Sequence, residues 1–134
     1  TPMFSFAREY TIFSFDEKEV IKVSEINFKG VIERSTDDGK TWSQPVEFHR
    51  GVHRVAKDSS GTYYIATTDG LYKTNSNFST LNLIGFGGKR VFDFKIAPNG
   101  TFFAMVDRDS NRRVLLSTDK GTTWVESFSR FEIN

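Results

Sequence analysis

The chain contains no cysteine and only 3 prolines in 134 residues. The first absence excludes disulfides, thiol catalysis and cysteine-ligated zinc. The second leaves no material for a Pro-rich linker. No apolar run reaches the ~20 residues a membrane-spanning helix needs, and no signal-peptide or lipidation motif stands out. Charge of one sign is missing too: the formal net charge is +1, so the chain as a whole offers no polyelectrolyte attraction to nucleic acid or to a membrane. No segment carries a helical 3.6-residue apolar stripe.

Phenylalanine is abundant, with 14 residues, and Phe favours strands and fills sheet-on-sheet interfaces. Two octapeptides repeat almost letter for letter: Ser35-Thr36-Asp37-Asp38-Gly39-Lys40-Thr41-Trp42 and Ser117-Thr118-Asp119-Lys120-Gly121-Thr122-Thr123-Trp124. They lie about 80 residues apart, two periods of the ~40–50 residues of a four-stranded blade. At the midpoint stands Thr74-Asn75-Ser76-Asn77-Phe78-Ser79-Thr80-Leu81, which reads as a decayed third copy.

Around each copy runs the same rhythm of short strands rich in Val, Ile, Phe, Tyr and Thr, bounded by Gly, Asp, Asn or Ser. The first unit predicts strands at Thr11–Phe15, Glu19–Ser24, Val31–Ser35 and Trp42–Phe48. The second predicts Val52–Lys57, Thr62–Thr67, Leu71–Thr74 and Leu81–Phe86. The third predicts Val91–Ile96, Thr101–Val106, Arg113–Ser117 and Trp124–Phe128. Met3–Ala7 and Arg130–Ile133 read as single strands of a preceding and a following unit.

The pattern S-x-D-x-G-x-T-W resembles the Asp-box, or bacterial neuraminidase repeat, of β-propellers such as sialidases, xyloglucan-degrading hydrolases, sortilin-type receptors and photosystem assembly factors. The resemblance implies an all-β chain, a propeller segment of about three four-stranded antiparallel blades. The expected domain is one segment over 1–134, with blades near 10–48, 52–86 and 90–129. Locally, Gly39 and Gly121 supply the positive φ of a tight hairpin. Asp37 and Asp119 fold back onto backbone N–H groups, while Ser35, Ser117, Thr41 and Thr123 add hydroxyls to the same turn. Trp42 and Trp124 cover it. These residues read as structural, since in the families resembled the boxes lie opposite the active site.

Sorting the charges by turn puts a basic set on the other loop face. Arg50, Arg54, Lys89, Arg90, Arg108, Arg112 and Arg113 are the candidate ligand-binding residues, joined by Lys29, His49 and His53, with Asp69, Asp107 and Asp109 as the main acids. Such a set suits an anionic group on a sialic or uronic acid, a phosphate or an acidic peptide segment. Asp69, Asp107 and Asp109 could in principle include a glycosidase pair, but the arginine triad, tyrosine nucleophile and Arg-Ile-Pro signature of sialidases are not recognisable. His49 and His53 are rim residues without enough ligands around them for a metal. Gly85–Arg90 lacks the helix a phosphate loop requires.

The reading is therefore a binding or interaction module without catalytic residues, metal or cofactor, engaging a glycan or a protein partner. A fragment of a sialidase- or xyloglucanase-like glycoside hydrolase is the alternative. Neither nucleic acid nor membrane insertion is expected. The resemblance favours an extracellular, periplasmic or secretory-lumen setting without fixing the compartment. Three blades cannot close a ring, which takes about four to eight. Aromatics such as Phe13, Phe92 and Phe94 are expected near the open flanks. A homodimer completing a six-bladed ring, or a longer parent chain, would cover them.

Overall fold

The computed structural model describes residues 10–127. The strands expected at Met3–Ala7 and Arg130–Ile133, and the last residues of the third unit, lie outside the described residues. Twelve strands form three four-stranded antiparallel sheets, each in simple chain order. The first holds β1 (Tyr10–Ser14), β2 (Val20–Ile26), β3 (Lys29–Ser35) and β4 (Val46–Phe48). The second holds β5 (Val52–Lys57), β6 (Tyr63–Thr67), β7 (Gly70–Thr74) and β8 (Asn82–Gly85). The third holds β9 (Val91–Ile96), β10 (Phe102–Arg108), β11 (Asn111–Ser117) and β12 (Val125–Ser127). The first strands of the three sheets, β1, β5 and β9, line one groove of about 350 Å³, which makes them the inner strands.

The fourth strands are shorter than their composition predicts. Pro45 has no N–H to donate to a ladder, so β4 starts after it. Upstream, Ser43 spends its N–H on the Arg34 carbonyl at 2.8 Å and its Oγ on the Arg34 N–H at 2.9 Å. Trp124 precedes β12 because its indole N–H turns back to the Gly121 carbonyl at 3.1 Å.

Two apolar clusters join the sheets face to face. The first packs Phe13, Ile21, Val23, Ile32 and Phe48 of the first sheet against Val55, Tyr63, Ile65 and Phe78 of the second. The next packs Tyr64, Ala66 and Leu71 of the second sheet against Val91, Phe94, Phe102, Ala104, Val106 and Leu115 of the third. Each large side chain so buried is worth ~1.5–3 kcal/mol. The flank of a sheet that faces the next one is here its trailing flank, and the opposite flank its leading one.

The strand registers make the three sheets superimposable by position. Val23 pairs with Ile32, Ala66 with Leu71 and Met105 with Val114. These six residues occupy equivalent places on three trailing flanks. Ile32 and Leu71 are wholly buried, whereas Val114 is 37% exposed because no described sheet covers it. The expected exposure of Phe13 and Phe94 is corrected by the same register. Both point into the inter-sheet clusters, and it is Ile12 and Phe103, one residue away or on the facing strand, that emerge. A shift of one residue along a strand exchanges its faces.

Candidate functional site

Connections between second and third strands, and between consecutive sheets, come together at one end. Backbone hydrogen bonds stitch them: Gly30 N–H to the Arg50 carbonyl at 2.9 Å, Thr68 N–H to Gly51 at 3.1 Å, Gly88 N–H to Asp69 at 2.9 Å and Asp107 N–H to Arg90 at 3.0 Å. This is the loop face that the basic residues were expected to share.

At this end two inner strands carry equivalent bulges. In β5 the pairing jumps from Val52 to Arg54, leaving His53 as the extra residue. In β9 it jumps from Val91 to Asp93, leaving Phe92. A bulge re-aims the side chain of its extra residue and often borders a functional site. The two rings sit 6.5 Å apart, centroid to centroid. Two guanidinium groups then lie over Phe92, that of Arg112 at 3.9 Å and that of Arg90 at 5.5 Å. A cation over a ring face is held electrostatically while its N–H donors stay available at the ring's edge.

The remaining candidates are engaged within the chain. Arg50 pairs with Asp69 at 3.0 Å and lies over Tyr72 at 5.0 Å. Arg54, within a strand rather than a connection, pairs at 2.6 Å with Asp93, its positional equivalent on the neighbouring inner strand. Arg108 and Arg113 share Glu126, at 3.3 and 3.6 Å. Among the described residues, Lys89, Arg90 and Arg112 are the members of the candidate set that form no ion pair with a carboxylate, and all three are exposed. Of the seven, Arg90 and Arg112 lie over Phe92, and Lys89 precedes Arg90 in the chain.

One residue on this face escapes any charge-based reading. Phe28, at the tip of the β2–β3 hairpin, is 86% exposed in a left-handed conformation with φ 65°. Two other phenylalanines, Phe78 (φ 55°) and Phe86 (φ 60°), share that conformation. Phe78 is buried against Tyr63, and Phe86 packs on Trp124. Phe28 has no such packing, so nothing among the described residues offsets its backbone cost.

The opposite face carries the two repeated turns and a buried charge cluster. In the first turn, Ser35 Oγ accepts from Gly39 N–H at 2.8 Å and donates to Asp37 at 2.8 Å. Asp37 then accepts the Thr41 N–H at 2.9 Å and the Thr41 hydroxyl. The Ser117, Asp119, Gly121 and Thr123 set repeats these bonds at 2.6–2.8 Å, and Gly39 and Gly121 adopt φ 83° and 92°. Hydrogen bonds from Thr41 and Ser35 hold the Asp37 carboxyl well below the usual range, and those from Thr123 and Ser117 bring Asp119 to about 2. Trp42 stands beside Gly39 and carries Lys22 over its ring at 4.7 Å.

Sequence reasoning misses the cluster around Glu19, a residue only 5% exposed. Glu19 accepts from Arg34 at 2.6 Å, from Lys57 at 2.8 Å and from the Tyr63 hydroxyl. Lys57 also reaches Asp16 at 2.7 Å, so the cluster ties the first sheet to the second. Burial disfavours the Glu19 carboxylate, but the bonds from Lys57, Tyr63 and Arg34 outweigh it and lower its pKa. Asp69, one of the acids a glycosidase reading needs, is likewise lowered: burial is outweighed by Thr67, Tyr72 and Arg50. A glycosidase general acid requires the opposite shift. Asp107 and Asp109 lie exposed at the β10–β11 hairpin. His49 is exposed, and no trio of potential metal ligands occurs among the described residues.

No protein-family model matches the chain, and no curated protein matches it in sequence. Among solved structures it is similar to "YCF48 bound to D1 peptide", with a TM-score of 0.57 and 18% identity. The match covers 98% of this chain and 43% of that one, so the chain spans less than half of the structure it resembles. At this identity the likeness is one of fold, and the fold is a β-propeller.

Proposed function

We propose that the chain is a non-catalytic interaction module of Asp-box propeller type whose loop face holds an acidic segment of a protein partner. The observation that carries this reading is the Phe92 cluster: Arg90 and Arg112 over one ring, Lys89 preceding Arg90 in the β8–β9 connection, and, among the described residues, no carboxylate paired with any of the three. Stacked guanidiniums keep a bidentate fork free for a carboxylate. Phe28, exposed on the same face, adds an apolar contact that suits a protein better than a sugar acid. The structurally similar YCF48 is bound to a peptide, which supports the same class of ligand. Under this reading the repeated turns are folding devices, and the blades beyond these three come from a second copy or a longer chain.

Fluorescence anisotropy with a labelled glutamate-rich peptide tests it, with sialyllactose and a fluorogenic sialoside as the glycan and hydrolase arms. The peptide should bind with an affinity that falls steeply as salt rises. Replacing Arg90 and Arg112 together by alanine should weaken binding at least about tenfold, the scale of one or two charge-assisted hydrogen bonds. Replacing Lys40 and Lys120, on the far face, should leave it unchanged. Equal losses from both faces would reduce the effect to non-specific attraction. Turnover of the sialoside would replace the module with a hydrolase.

A further inference from the structure

Six large apolar side chains are well exposed among the described residues: Ile12, Phe28, Leu83, Phe103, Val114 and Val125. Four of them stand on the two flanks that no described sheet covers. Phe103, Val114 and Val125 lie on the trailing flank of the third sheet, where the registers pair Phe103 with Leu116 and Leu116 with Val125. Their equivalents are interface residues: Ile21 and Tyr64 for Phe103, Ile32 and Leu71 for Val114, all buried between sheets. Ile12, 65% exposed on the leading flank of the first sheet, takes the place that Val55 and Phe94 fill at 2% and 1%. Each flank is thus built like one half of an interface that the molecule already forms twice.

We infer that a second copy of this chain covers these flanks head to tail, its leading flank on the trailing flank of the first copy, so that two copies close a six-bladed ring. Both interfaces within the chain are trailing-on-leading, and repeating that contact needs no new kind of surface. The leading flank differs in one respect. Lys22 and Glu33 occupy places held by Ile65 and Tyr72 in the second sheet and by Ala104 and Leu115 in the third. They already pair with each other at 3.3 Å, so closure covers a matched pair rather than a lone charge. Closure also completes the axial groove, because β1, β5 and β9 of the second copy supply the missing half of its wall.

The absence of cysteine makes the contact directly readable. Val23 and Val55 belong to the same inter-sheet cluster, on facing strands β2 and β5, and their equivalents are Met105 of one copy and Ile12 of the next. Ile12→Cys and Met105→Cys proteins should each remain uncrosslinked alone under mild oxidation and give covalent dimers when mixed. In sedimentation equilibrium the parent chain should have twice the mass of one chain at micromolar concentration. Val114→Lys, at a surface position, should be monomeric with an intact unfolding transition. A monomeric parent chain would overturn the inference. So would crosslinking of Met105→Cys with itself as readily as in the mixture, because that outcome means two trailing flanks paired with each other.

Discussion

The outer turn at Ser35–Trp42 is closed by a carboxylate, and the one at Thr74–Leu81 by a phenyl ring. In the first, Asp37 gathers the Ser35 and Thr41 hydroxyls and two backbone N–H groups, and Gly39 provides the left-handed step. In the middle turn Phe78 takes that step at φ 55° and drives its ring between the first and second sheets, 5.5 Å from Tyr63. The polar hub moves one residue earlier. Asn75 accepts the Ser79 N–H and donates to Ser79 and Thr80, whereas Ser76, aligned with Asp37, is exposed. A turn that loses its aspartate and glycine is therefore not merely decayed. It keeps a local hydrogen-bond hub, on Asn75, and adds long-range burial through Phe78.

The buried ring should make the middle turn the most sensitive of the three to loss of an apolar side chain. Phe78→Ala should cost about 3–5 kcal/mol, the usual range for a buried phenylalanine, measured by urea unfolding. A cost near that of an exposed substitution, within about 0.5 kcal/mol, would show that the ring does not hold the turn.

The position that opens each turn should respond with opposite signs. Ser117 Oγ is buried and serves Gly121 N–H and Asp119, so Ser117→Ala strands donors and should destabilise by about 1–3 kcal/mol. Thr74 stands at the same place in the middle turn, but its buried Oγ1 has no hydrogen-bond partner. Thr74→Val keeps the shape and removes the unmet polar group, so it should be neutral or stabilising by up to about 1 kcal/mol. Calorimetry on the pair decides. Two losses of equal size would mean that the turns are held alike.

Much of this architecture is legible in the residues because its signals are local. Gly-and-Asp turns at a steady spacing punctuate β-branched and aromatic runs, and β5 and β9 follow those runs end to end. What is not legible depends on parity or on distance in sequence. Nothing in the composition of β1 says whether Ile12 or Phe13 faces a neighbour, since the bulges and registers that decide it are pairings between strands. Charge alone picks out Arg90 and Arg112. It cannot separate them from Arg50, Arg54 or Arg108, whose partners lie 18–39 residues away. Phe92 carries no signal at all until the bulge turns it under the two guanidiniums. Glu19 is equally silent, because its three donors arrive from β3, β5 and β6.

The smallest difference between the turns should appear in acid. Asp119 is exposed, yet the Thr123 hydroxyl, the Thr123 N–H and Ser117 hold its pKa at about 2, against about 4 for an unfolded aspartate. Between those values the unfolded chain binds the proton more readily than the folded one. The contribution of this carboxylate is thus complete above about pH 4 and is lost as the pH falls toward 2. The middle turn has Asn75 at its hub, which does not titrate. Other lowered carboxylates, Glu19, Asp58, Asp69 and Asp93 among them, also weaken the fold in acid, so the informative quantity is a difference between proteins. Asp119→Asn should be less stable than the parent at pH 6, with the gap narrowing on descent to pH 2, whereas an Asn75→Ala protein should show a gap that stays constant. Melting temperatures taken at half-unit steps of pH measure both. A constant gap for Asp119→Asn would mean that the turn needs the shape of residue 119 and not its charge.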